Sequence, residues 1–257
     1  MDIDKLTLVA GANIPVPQLK VNIHQPTIRE IAVLGEEKFY TSIGLFNISA
    51  DSVVNALTSS SIKSELERIE LVKSMITTLS DFELLLQVLN EENDALLSFE
   101  TILMLILPEY TFSFEERIIL GFNRKEPTQS IAITEENYPV LKDVVQTIFC
   151  LKGGKTKEFN PGNDKAKVIA DKLEKARDKV RSLKGLSKEK TYILANYISS
   201  LGIGSNALNI INAVDLTVYQ LFNQMERYGL YVQNDYALKA AMAGAKNVEM
   251  IDWLKNI

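Results

Sequence analysis

The chain has 257 residues, 46% of them hydrophobic and 24% charged, with a formal net charge of −5; these are ordinary globular values that leave room for one large or two modest domains. A single cysteine, Cys150, excludes an internal disulfide. The longest wholly apolar run, Ile102–Leu107, is far short of the ~20 residues that a membrane-spanning helix needs.

The N-terminus carries Asp2 and Asp4 and no basic-then-apolar pattern, so no signal peptide is expected and the chain reads as soluble and intracellular. Charge is unevenly spread. Lys152–Lys190 holds 13 Lys/Arg against 6 Asp/Glu, and the remainder is strongly acidic. A basic middle in an acidic chain points to a nucleic-acid patch, to a contact within or between subunits, or simply to solvated helix faces.

In chain order, Pro15, Pro17 and Pro26 argue against helix before residue 26. Leu19, Val21 and Ile23 alternate with Lys20, Asn22 and His24, the period of a half-buried strand. Pro26 suits the first position of a helix whose apolar face is Ile28, Ile31 and Leu34, with Gly35 as a break or bend before Phe39, Tyr40 and Ile43. Asp51 reads as the cap of a further short helix. Residues 62–107 are helical in pattern, with Leu66, Ile69, Val72 and Ile76 on one stripe. Ser80 with Glu83 forms a capping box, Asn90–Asp94 a turn, and Leu96–Leu107 a buried helix stopped by Pro108.

The period then changes. Tyr110, Phe112 and Phe114 alternate, Ile118–Leu120 is a short apolar run, and Ile131 and Ile133 alternate again, which predicts a small β-meander with a turn at Pro127. Thr134 with Asn137 opens a helix running through Cys150. Gly153–Asn163 is rich in turn formers and is the expected linker. Beyond it, Ala166, Ile169, Leu173, Ala176, Val180 and Leu183 make a heptad seam, and Ser187 caps a partner helix with Tyr192, Leu194, Tyr197 and Ile198.

The C-terminal stretch Leu216–Ile257 reads as three short helices. Thr217 and Gln220 make a capping box, and Val218, Leu221, Phe222 and Met225 share a face that Gly229 terminates. A second helix carries Leu238, Ala241 and Met242 and stops at Gly244. Asn247 caps a third, with Met250, Trp253, Leu254 and Ile257 as one stripe and Val248 and Ile251 as another. A helix with so little polar surface is clamped between neighbours or docks on another chain.

Reactive motifs do not assemble. Gly153-Gly154-Lys155-Thr156 imitates a P-loop, but Phe149 stands where its first glycine belongs. Gly202, Gly204 and Ala207 have dinucleotide-turn spacing without the βαβ surroundings, so close helix packing is the better reading of those glycines. His24 and Cys150 are each the sole residue of their kind, too few for a zinc site unless carboxylates fill in. Cys150, flanked by Phe149 and Leu151, reads as core. The basic helix Asn163–Lys184 interleaves Asp171, Glu174 and Asp178 with its lysines and lacks stacking aromatics, which argues against nucleic acid as its target.

Three stretches resemble tail assembly chaperones of tailed phages that infect Gram-positive bacteria: Val21–Tyr40 (VNIHQPTIREIAVLGEEKFY), Phe159–Arg177 (FNPGNDKAKVIADKLEKAR) and Leu216–Ile257. The resemblance implies a non-catalytic binder in the host cytoplasm that coats the helical tape measure protein before the tail tube polymerises. It also implies self-association, possible contact with the major tail protein, and no cofactor. In such phages a ribosomal frameshift often yields a longer product, of which this chain would be the shorter form.

These readings give a mainly α-helical α+β protein with an N-terminal α+β domain over residues 1–152, a linker over 153–163 and a helical domain over 164–257. The expected contact residues are Phe222, Met225, Met250, Trp253, Leu254 and Ile257, and no catalytic, metal or cofactor residue is named. A structural virion or tail-connector protein is the alternative, and a nucleic-acid binder acting through residues 163–184 is the third. Polar replacement of Trp253 and Leu254 separates contact from core, since only a contact surface loses binding with the melting temperature unchanged.

Overall fold

A computed structural model describes residues 3–52, 78–126, 128–151, 193–205, 208–245, 248, 250 and 252. The fold is mainly helical α+β with two small antiparallel sheets. The Gly153–Asn163 linker, the heptad helix, and the stripe Leu66–Ile76 lie outside the described residues.

A helix forms earlier than the prolines suggest. α1 (Lys5–Ala10) closes at Gly11, whose φ of +66° gives the left-handed turn that ends it. The chain then forms a hairpin of β1 (Ile14–Val16) and β2 (Val21–Ile23), with Pro15 opposite Asn22. Pro15 is tolerated because a two-stranded sheet is all edge, and its ring points outward while Ile14 and Val16 are buried.

Pro26 is not in the first helical position. Thr27 caps α2 (Ile28–Leu34) in a full capping box with Glu30, and Gly35 at φ +86° separates it from α3 (Glu36–Gly44). A 3-10 turn, Leu45–Asn47, follows. At the next helical start the Ser52 N–H donates to the Ser49 hydroxyl and the Ser49 N–H to the Ser52 hydroxyl, so Ser49 fills the role expected of Asp51.

The capping box of Ser80 and Glu83 opens α4 (Asp81–Glu91). The expected turn at Asn90–Asp94 narrows to Glu92, after which α5 (Asn93–Ile106) begins. The meander forms as read: β3 (Tyr110–Phe114), β4 (Ile119–Asn123) and β5 (Ser130–Ile133) pair antiparallel in chain order. α6 (Tyr138–Ile148) ends two residues before Cys150, which takes a positive φ of +54°.

The core gathers on aromatic side chains from these elements. Phe46 lies 5.0 Å from Phe99 and 6.3 Å from Tyr138, and Phe82 packs on Tyr138 at 5.1 Å. Phe39 meets Phe149 edge-on at 5.2 Å. Lys142, almost buried, donates to the Ile48 carbonyl at 2.8 Å and the Asp81 carboxylate at 2.7 Å, so its desolvated charge is paired.

The described residues from Leu194 onward belong to the same compact unit as those up to Leu151. α7 (Ile193–Gly204) buries Leu194, Ile198 and Leu201; α8 (Ile210–Ala213) is capped by Asn209; α9 spans Val218–Met242. The Glu36 carboxylate accepts from the Leu194 N–H at 2.7 Å and the Ala195 N–H at 3.3 Å, serving the α7 start from a distant helix. α2 and α9 begin side by side, their caps Thr27 and Thr217 joined in a β-bridge. The Ile28 and Arg29 N–H groups, orphaned at the start of α2, donate to the Leu216 and Val214 carbonyls. Thus sequence stretches on either side of residue 152 contribute to one core.

Candidate partner-binding surface

The last long helix has two unlike halves. Its first turns lie against the core, with Val218 and Leu221 fully buried and Phe222, Met225 and Tyr228 packed partly on it. Phe222 meets the Tyr197 ring edge-on at 5.1 Å. The expected stop at Gly229 does not occur. Gly229 has ordinary helical geometry, and a side chain added there would meet nothing within 4 Å, so α9 runs through it as one 25-residue helix. The predicted end at Gly244 is where the helix does close, with φ +87° just beyond its last turn.

Past Tyr228 the helix buries none of its residues fully. Tyr231, Leu238 and Met242 recur at i, i+7 and i+11 and lie on one line. All three are exposed, Met242 to 80%, and Tyr236 is exposed to 68% on the other side of the helix. Asp235 and Lys239 bridge at 2.6 Å along the same stretch, which leaves the line electrically balanced.

Next to this line α7 closes on α9. A Cβ on Gly204 would come within 2.0 Å of the Tyr228 hydroxyl, and one on Gly202 within 3.2 Å of Ile210. The glycines therefore permit a close approach of helices, as the sequence reading held. Leu201, Leu208, Gln224, Tyr228 and Tyr231 line a shallow groove of about 290 Å³ at this junction. Ile203, Ile210 and Ile211 nearby in sequence are strongly exposed, Ile203 to 90%.

The six residues expected to contact a partner fall into three groups. Phe222 and Met225 are half-buried against the core. Met250 is exposed. Trp253, Leu254 and Ile257 lie outside the described residues, as do Asn247, Ile251, the P-loop-like Gly153–Thr156 and the basic helix Asn163–Lys184. Sequence reading missed Tyr231, Ile203, Ile210 and Ile211, because periodicity marks which residues share a face and not whether that face is covered.

The reactive singletons are engaged structurally. His24 accepts or donates between Asn13 at 3.3 Å and the Glu30 carboxylate at 3.1 Å. Burial, with a smaller push from the Glu226 carboxylate, raises the Cys150 thiol to about 11, so it is protonated at neutral pH. Among the described residues no group of His, Cys, Asp and Glu is placed to hold a metal ion, and no helix is long and apolar enough to cross a membrane.

A family model described as the YomV second domain matches residues 187–257, the stretch that holds α7, α8 and α9. That family is phage-derived, YomV being a protein of a Bacillus prophage, and the match points to a phage origin for this part of the chain. No curated protein and no solved structure matches the chain.

Proposed function

We propose that this chain is a non-catalytic phage assembly protein, a tail assembly chaperone that receives apolar helices of the tape measure protein. The observation that carries the reading is the uncovered line Tyr231, Leu238 and Met242 on α9, next to the groove at its junction with α7. An apolar stripe of this length on a helix is the form in which one helix takes up another, through anchors at i and i+7. The phage-derived match over the same elements supports it. Self-association along a filament of partner and contact with the major tail protein belong to the same proposal.

The test is co-purification with a tagged tape measure segment from the same phage. Leu238→Glu with Met242→Glu abolishes capture while changing the unfolding free energy by no more than a surface substitution does, about 0.5 kcal/mol. Trp253→Glu with Leu254→Glu asks the same of the C-terminal stripe. Wild-type capture by both double variants refutes the surface. Stoichiometric recovery of the protein in finished particles refutes the chaperone role and favours a structural virion protein.

A further inference from the structure

A second feature of the fold stands apart from the helical surface. Along β4 burial alternates without a break but the chemistry reverses at its end: Phe122 faces outward and is 41% exposed, whereas Asn123 faces inward and is only 7% exposed. Ile119 and Gly121 occupy the same inward face, so an amide stands where the pattern asks for an apolar residue. Its oxygen has a structural task. Asn123 Oδ1 accepts from the Lys125 N–H at 2.9 Å and the Glu126 N–H at 3.1 Å, closing the turn after β4. Its Nδ2 donates to no protein group among the described residues.

Directly opposite Asn123 in the ladder is Tyr110, which is 8% exposed and therefore lies on the same face. Its hydroxyl likewise makes no hydrogen bond to protein among the described residues. Both line a cleft of about 370 Å³ between the β1–β2 hairpin and the start of β3, together with Asn13, Asn22, His24 and Gln129. That volume is at the small end of ligand sites.

Two of the charged or titratable groups at the cleft are engaged by partners. Glu109 on its wall is paired with Lys125 at 2.7 Å, and His24 is held by Glu30. Lys20 stands exposed at the rim of the cleft. Inside that rim is a ring of amide and hydroxyl groups, able to donate and accept in several directions. We infer that this cleft is a binding site for an uncharged polyhydroxylated ligand, the pyranose ring of a neutral saccharide, with Asn123 Nδ2 and the Tyr110 hydroxyl as two of its hydrogen-bonding groups.

The test titrates the full chain with methyl α-glucoside, N-acetylglucosamine and maltotriose at millimolar concentration, with inorganic phosphate as the anionic control. Proton–nitrogen spectra follow the Asn123 side-chain amide. A saturable shift of that amide with at least one saccharide and none with phosphate is the expected result. Asn123→Asp keeps the oxygen that closes the turn and removes the donor, and Tyr110→Phe keeps the ring and removes the hydroxyl. Each weakens the saccharide by about tenfold, the worth of one well-formed hydrogen bond, with the fold intact by circular dichroism. Silence with all three saccharides, a response to phosphate alone, or unchanged affinity in Tyr110→Phe overturns the assignment.

Discussion

Removing the Glu36 carboxylate tests whether α7 is held in place from outside its own sequence. Glu36 accepts one strong hydrogen bond, 2.7 Å from the Leu194 nitrogen, and one weaker, 3.3 Å from Ala195, and it brings negative charge to the positive end of a 12-residue helix. A cap contributes about 1 kcal/mol and a charged acceptor somewhat more, so Glu36→Ala is expected to cost about 2 kcal/mol. For a chain of this size that is a fall of roughly 4–8 °C in melting temperature. Glu36→Gln keeps an acceptor and loses the charge, and should cost about half as much. Thermal melts followed by circular dichroism, with urea titration for the free energies, give the ordering wild type, Gln, Ala. If both variants melt with the wild type, the contact contributes nothing and the reasoning fails. Because α7 forms one wall of the groove beside Tyr231, Glu36→Ala should also weaken capture of a partner helix.

Three further expectations follow from the structure. A Cβ on Gly121 would stand 2.7 Å from Ile131 Cγ1 and 3.0 Å from Phe112 Cε1, so Gly121→Ala overpacks the middle strand from both sides. It should lower stability by about 1–2 kcal/mol after the smaller entropic gain of replacing glycine, and an unchanged or raised melting point contradicts this. The Glu30 carboxyl is pushed up by burial, but the Thr27 N–H and hydroxyl and His24 outweigh that and hold it below its ordinary value. Its stabilising contribution is therefore present above the ordinary carboxylate range and lost as pH falls through the lowered value, so Glu30→Gln should flatten the acid arm of a stability–pH curve. Equal acid slopes in wild type and variant would exclude it. The Cys150 thiol, raised to about 11, should alkylate slowly at neutral pH with a rate still climbing well above the ordinary thiol value of about 8.5; a plateau near that value contradicts the burial.

Much of the local structure was legible in the chain. The boxes Ser80–Glu83 and Thr217–Gln220 fix two helix starts because each satisfies orphan N–H groups within four residues, a purely local matter. The meander was readable for the same reason, its alternation being short-range. Gly229 misled, since a glycine ends a helix only if the backbone turns left-handed there, and nothing in this helix asks it to. Its cost of about 1 kcal/mol is absorbed by the 24 other residues of α9. The candidate surface was only partly legible. Val218, Met225, Val232 and Tyr236 share one helical face, yet the core covers Val218 and leaves Tyr236 exposed. Where a core ends is set by elements far away in the chain, and no local pattern records it. The service of Glu36 to α7 and of Leu216 to α2 is invisible for the same reason.

The pairing of the α2 and α9 starts has a consequence for biosynthesis. Arg29 meets Asp215 at 2.8 Å across 186 positions, and Gln220 donates to the Val9 carbonyl at 2.8 Å across 211. A nascent chain emerging from the ribosome therefore carries α2 with its Ile28 and Arg29 N–H groups unserved until residues 214–216 are made. Such distant closures are slow to find and leave apolar surface open meanwhile. Ribosome-bound chains stalled before Val214 should thus be readily cleaved by protease near α2, and chains that extend through α9 should resist.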